Sequence, residues 1–119
     1  MKKLVIVLVL LFAATALFAQ INLGDFPVGK WLDANYSATW SFTSNNITID
    51  SPEYGSWTFA GKTIQDFRVF MSGMSPSLSF SCPEAGRSYV FKVNPTNASI
   101  DLEITRSGLP VYAVNMRKQ

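Results

Sequence analysis

Apolar residues recur at every second position through most of this chain. Tyr36, Ala38, Trp40 and Phe42 alternate with Ser37, Thr39 and Ser41, a period that places one set on each face of a β-strand. The pattern returns at Ile47 and Ile49 around Thr48, at Trp57 and Phe59 around Thr58, and at Phe67, Val69 and Met71 around Arg68. It continues through Leu78, Phe80 and Cys82, whose opposite face is Ser77, Ser79 and Ser81 and is expected to meet water. Tyr89, Phe91 and Val93 follow, then Ile100, Leu102 and Ile104 against Ser99, Asp101, Glu103 and Thr105. A last segment, Val111 to Arg117, starts apolar on both faces and turns basic.

Short stretches rich in Gly, Pro and Asn separate the segments: Thr43 to Asn46, Ser51 to Gly55, Gly61-Lys62, Ser72 to Pro76, Pro83 to Gly86, Asn94 to Asn97 and Ser107-Gly108. Such spacing predicts hairpins and an antiparallel meander. There are nine segments, or eight if Gly29 to Phe42 is one strand bent at Ala34-Asn35. A flat sheet of this kind would leave two unpaired edges and one uncovered apolar face, and closing it removes both. The expected fold is therefore all-β, a single small antiparallel up-and-down β-barrel of about eight strands. A β-sandwich of the same strands is the alternative.

The N-terminus stands apart from this pattern. Lys2 and Lys3 precede an apolar run from Leu4 to Phe18 that ends at Ala19, the arrangement of an export signal. The run is short for a membrane span. The expected organisation is a signal peptide over residues 1–19, an N-terminal tail over 20–28 lying against one end of the barrel, and a barrel domain over 29–119. Cleavage would leave an exported protein, periplasmic or secreted, with no membrane insertion.

Cleavage also changes the charge. Ten basic residues less Lys2 and Lys3 leave eight, against eight acidic. A neutral chain with its basic residues scattered singly gives no reason to expect nucleic acid as a partner. Cys82 is the single cysteine, so no internal disulfide can form, and its parity with Leu78 and Phe80 predicts a small buried side chain.

Gly29, Lys30 and Trp31 open the first strand and Arg117-Lys118 close the last. By these residues the chain resembles a small calycin, the group that holds the lipocalins, fatty-acid-binding proteins and avidins. The resemblance implies that Trp31 closes one end of the barrel under a basic side chain from the final strand, with Arg117 as the candidate. Stacking of a guanidinium over an indole is the physical basis. Avidins open in a similar way but carry later tryptophans that wall biotin, and this chain has none after Trp57.

The chain has no histidine, which removes the commonest general base and zinc ligand and every Ser-His or Cys-His dyad. The carboxylate pairs Asp101/Glu103 and Asp50/Glu53 remain as candidates, and the first lies on the polar face of an alternating strand, which reads as a solvated outer face. Asn35, Asn46 and Asn97 each open an Asn-x-Ser/Thr sequence and are read as chance matches. No enzyme activity, metal or cofactor is expected.

Function then falls to the barrel interior and rims. The inward set comprises Tyr36, Trp40, Phe42, Trp57, Phe59, Phe67, Met71, Phe80, Tyr89 and Phe91. These rings either fill the barrel or line a site for one ligand. The first expectation is a lipocalin-like protein that binds a small hydrophobic ligand through Tyr36, Trp40, Phe42, Trp57, Phe59, Phe67, Phe80, Tyr89 and Phe91. The alternative is a periplasmic protein-binding module, such as a protease or lysozyme inhibitor with a filled barrel, whose protein partner meets the tail or the Pro83 to Arg87 turn. A monomer is expected in either case.

Overall fold

A computed structural model describes residues 21–95 and 98–119. The signal peptide expected over residues 1–19 and the acceptor Asn97 lie outside the described residues. The described chain holds nine strands and no helix: β1 (Gly29–Asp33), β2 (Ala38–Thr43), β3 (Asn46–Ser51), β4 (Gly55–Thr58), β5 (Gln65–Ser72), β6 (Ser75–Cys82), β7 (Arg87–Asn94), β8 (Ser99–Arg106) and β9 (Tyr112–Lys118). All nine lie in one antiparallel sheet of order β4-β3-β2-β1-β9-β8-β7-β6-β5. The first and last strands meet near its middle, where Trp31 pairs with Lys118 and Leu32 with Arg117.

The sheet curls strongly. Trp40 on β2 lies 5.4 Å from Phe91 on β7, centroid to centroid, and Phe42 lies 5.3 Å from the same ring. Three strands separate β2 from β7 in the ladder, so these contacts exist only because the inner face folds over on itself. Up-and-down topology and inward alternation agree with the sequence pattern; the fold is a curled half-barrel.

The ladder does not close. Its edges are β4 and β5, which follow one another in the chain and run in the same sense, since an even number of antiparallel pairings separates them. They act as one strand cut at Phe59 to Ile64, its first part paired to β3 and its second to β6. What bridges the edges is the covalent chain and its side chains. Phe59 and Ile64 are buried, and Phe59 reaches Phe80 and Tyr89 at 5.1 and 5.2 Å. Asn46 fixes the end of β4: its Oδ1 accepts from the Ala60 N–H and its Nδ2 donates to Thr58 Oγ1. Across the seam the Thr63 N–H donates to Glu84 Oε2 at 2.6 Å.

A seam has consequences for β5. Asp66 has a positive φ of 55°, and the register shifts between Gln65 and Arg68, a bulge that turns the edge aside. Below it, β4 is too short to cover the inner face. Val69 and Met71 are therefore 39% and 62% exposed, so Met71 is not the core residue its parity predicts. Ser77, expected in water, is buried and its hydroxyl donates to the Ser75 carbonyl. Cys82 is buried, as its parity predicts.

The end of the sheet where β1 begins is plugged. Ile21, Leu23 and Phe26 are buried, the Leu23 N–H donates to the Ser44 carbonyl, and Phe26 packs on Phe42 at 5.6 Å. Trp31 stands edge-on to Phe42 at 5.3 Å. Gly29, at a φ of 139°, brings its backbone against this indole: a Cβ there would lie 3.4 Å from the Trp31 ring. That close approach is the physical content of the Gly-Lys-Trp opening.

Candidate functional site

The opposite end of the sheet is open. A cavity of about 420 Å³ lies there, lined by Asp33, Tyr36, Ala38, Trp40, Ile49, Ser51, Tyr54, Gly55, Ser56, Trp57, Arg87, Ile104, Arg106 and Tyr112. Its floor is Trp40, which stacks on Phe59 at 6.3 Å and meets Tyr89 at 5.9 Å. Below that level Phe42, Phe59, Phe80, Tyr89 and Phe91 are all buried and in mutual ring contact. Offset and edge-to-face pairs of this kind fill space at core density. The interior is therefore solid in its middle and hollow at one end.

Three tyrosines edge the mouth. Tyr36, 46% exposed, lies 5.5 Å from Tyr112 and 6.0 Å from Tyr54. Asp33, 3% exposed, holds this rim: Tyr112 Oη donates to its Oδ2 at 2.8 Å, and the Asn35 N–H donates to its Oδ1 at 2.9 Å. Asn35 Nδ2 in turn donates to Tyr112 Oη at 3.0 Å. Burial, reinforced by the Asp33 carboxylate, pushes the Tyr112 phenol up to about 12, against the opposing donation from Asn35. Burial likewise pushes Tyr89 up to about 12, with the neighbouring Arg87 acting the other way.

Basic groups complete the lining. Arg87 and Arg106 face each other in register on β7 and β8, on the same side as Tyr89 and Ile104. Outside the lining, Lys62 Nζ sits 4.7 Å above the Trp57 ring. Among the described residues, three buried side-chain polar atoms have no hydrogen-bond partner: Trp31 Nε1, Trp57 Nε1 and Arg106 Nε. Two of these residues line the cavity.

The nine rings expected to bind a ligand thus divide. Tyr36, Trp40 and Trp57 line the cavity. Phe42, Phe59, Phe80, Tyr89 and Phe91 form the packed core beneath it, and Phe67 is half-buried against Phe80 at 6.1 Å. At the plugged end the cation over Trp31 is Lys118, its Nζ 6.0 Å from the ring; Arg117 alternates to the outer face between buried Met116 and Lys118.

Pattern reading passed over Asp33, Tyr54, Arg106 and Tyr112, and placed Arg87 only in the Pro83 to Arg87 turn and not in the lining. The parity of Arg87 with Tyr89 and of Arg106 with Ile104 was a signal for two of them. Asp101 and Glu103 are exposed on the outer face of β8, where Asn115 Nδ2 donates to Asp101 Oδ1 at 2.7 Å. Asp50 accepts from Ser56 Oγ on an exposed surface. Among the described residues no group of three or more His, Cys, Asp or Glu side chains is placed to hold a metal ion. Compared with protein-family models, curated proteins and solved structures, the chain matches none.

Proposed function

We propose that this is an exported, non-enzymatic, lipocalin-like protein that binds one small hydrophobic ligand in the open end of its sheet. The observation that carries the reading is the cavity of about 420 Å³ over a Trp40 floor, walled by Trp57 and Tyr36. Binding sites are commonly concave, ring-lined and roughly 300–1,000 Å³, with a few polar groups that fix orientation. Here those groups are at the mouth, while the solid ring core below holds the walls in place. Membership of the calycins and export through residues 1–19 belong to the same proposal and rest on the sequence.

The experiment is native mass spectrometry of the protein purified from a cell extract, with denaturation and identification of whatever is released. A small apolar molecule bound one to one supports the reading. A bare protein whose tryptophan emission also ignores a broad hydrophobic panel overturns it.

A protein-binding role is the second reading, and one observation favours it. Val69, Met71 and Met74 are exposed beside the unpaired edge of β5, where a partner strand could add. The tail that such a role would use has Ile21, Leu23 and Phe26 buried in its own sheet. Retained binding after Met71→Lys and Met74→Lys, for any partner captured, would count against this second reading.

A further inference from the structure

We infer that the cavity selects an apolar, ring-bearing molecule that carries one anionic acceptor group, such as a carboxylate or sulfonate, seated against Arg106 and Arg87. The inference rests on the ligand-binding reading above and adds the charge of the ligand to it.

Three observations carry it. Arg87 and Arg106 stand directly opposite one another on β7 and β8, and like charges in that relationship repel. Neither has an ion-pair partner among the described residues. The acid that lines the same cavity, Asp33, is engaged by Tyr112 and by the Asn35 N–H. Two guanidinium groups against one carboxylate leave the lining with an excess of positive charge.

The second observation is the orphaned donor. Arg106 Nε is buried without a hydrogen-bond partner, and so is Trp57 Nε1. Both residues line the cavity, and a buried N–H left unpaired costs free energy that a small side-chain rotation toward a bound acceptor would recover. Two such donors from residues on one cavity call for a ligand with acceptor oxygens, and a guanidinium recognises a planar or tripodal oxyanion better than a neutral carbonyl.

The third is the apolar remainder. Trp40, Trp57 and Tyr36 offer ring faces and Ile49 an aliphatic one, so the rest of the molecule is apolar and flat. Charge at the mouth and rings at the floor set its orientation: rings inward, anion at the rim.

A matched pair of dyes tests this. 8-Anilinonaphthalene-1-sulfonate and N-phenyl-1-naphthylamine share one ring skeleton and differ by the sulfonate. Binding is read as dye emission excited through the tryptophans. A purely apolar cavity favours the neutral dye, because the sulfonate must be desolvated. The inference predicts that the anionic dye binds at least about tenfold tighter, the ratio supplied by one hydrogen bond to a charged group. It also predicts that Arg106→Gln lowers the anionic-to-neutral affinity ratio by about as much, with Arg87→Gln as a second variant in the same direction. Near-ultraviolet circular dichroism confirms that each variant is folded. If the neutral dye binds as tightly as the anionic one or tighter, or if both variants leave the ratio unchanged, the charge selection is wrong and the ligand-binding reading survives. If neither dye binds, the ligand-binding reading fails first and takes this inference with it.

Discussion

Phe59 and Tyr89 meet edge to face, their ring centroids 5.2 Å apart, although one follows the last residue of an edge strand and the other lies on the third strand from the opposite edge. No ladder hydrogen bond joins the β4 and β5 edges, so this ring and its neighbours hold the curl. Phe59→Ala removes contacts with Trp40, Trp57, Phe80 and Tyr89 together. The expected loss is about 3–5 kcal/mol, the cost of truncating a fully buried ring, read from urea unfolding midpoints. Phe59→Leu should recover part of it. A loss below about 1 kcal/mol would mean that the seam is closed by something else.

The tail is part of the fold on the same grounds. Phe26 covers Phe42, and Leu23 is tied to Ser44. Phe26→Ala is expected to cost about 3–5 kcal/mol and Leu23→Ala about 2–5 kcal/mol. A tail that only rests on the surface would give effects within about 0.5 kcal/mol in the same unfolding measurement.

At the plugged end Lys118 and Arg117 separate cleanly. Lys118 lies over Trp31, whereas Arg117 takes the outer face. Lys118→Ala should destabilise by about 0.5–1 kcal/mol, the value of an exposed cation–π contact with some lost packing of the alkyl chain. Arg117→Ala should stay within about 0.5 kcal/mol. Equal effects of the two substitutions would contradict this assignment.

These contrasts show what the sequence made legible and where pattern stops. The alternation of Tyr89 with Phe91, or of Ile100 with Leu102 and Ile104, states the inner face directly, because a strand has only two faces. It could not say that Lys118 and not Arg117 reaches Trp31, since that depends on the β1–β9 register, which no local feature of either strand encodes. The seam was hidden for a similar reason: Trp57 and Phe59 read as one alternating strand, yet the chain leaves the ladder once the Phe59 N–H has met the Ile47 carbonyl. Phe42 and Phe91 look no different in sequence from Trp40 and Trp57, and only depth along the axis separates packed core from cavity wall. Asp33 and Tyr112 are 79 residues apart, too far for spacing to connect them.

Tyr112 gives the fold a dependence on alkaline pH. Its phenol is pushed from an ordinary value of 10 up to about 12, so above pH 10 the unfolded chain has released a proton that the folded chain still holds. The contribution is fully present below about pH 10 and is lost as pH rises toward about 12. Tyr89 acts in the same window and direction. Urea midpoints of the wild type should fall between pH 10 and 12 more steeply than those of Tyr112→Phe, and the phenolate absorbance of Tyr112 should appear late in the titration. Parallel slopes for the two proteins would count against a half-buried, Asp33-bonded phenol.

The central claim is that the molecule is solid at the Trp31 end and hollow at the Trp57 end. The three tryptophans report on it separately, since Trp31 sits under Lys118, Trp40 forms the cavity floor and Trp57 its wall. The most direct measurement is a titration of the ¹⁵N-labelled protein with 8-anilinonaphthalene-1-sulfonate, following the three indole N–H resonances by NMR. Saturable shifts of Trp57 and Trp40 are expected, with Trp31 unmoved. A shift of Trp31 alone, or no saturable shift of any indole, would contradict it.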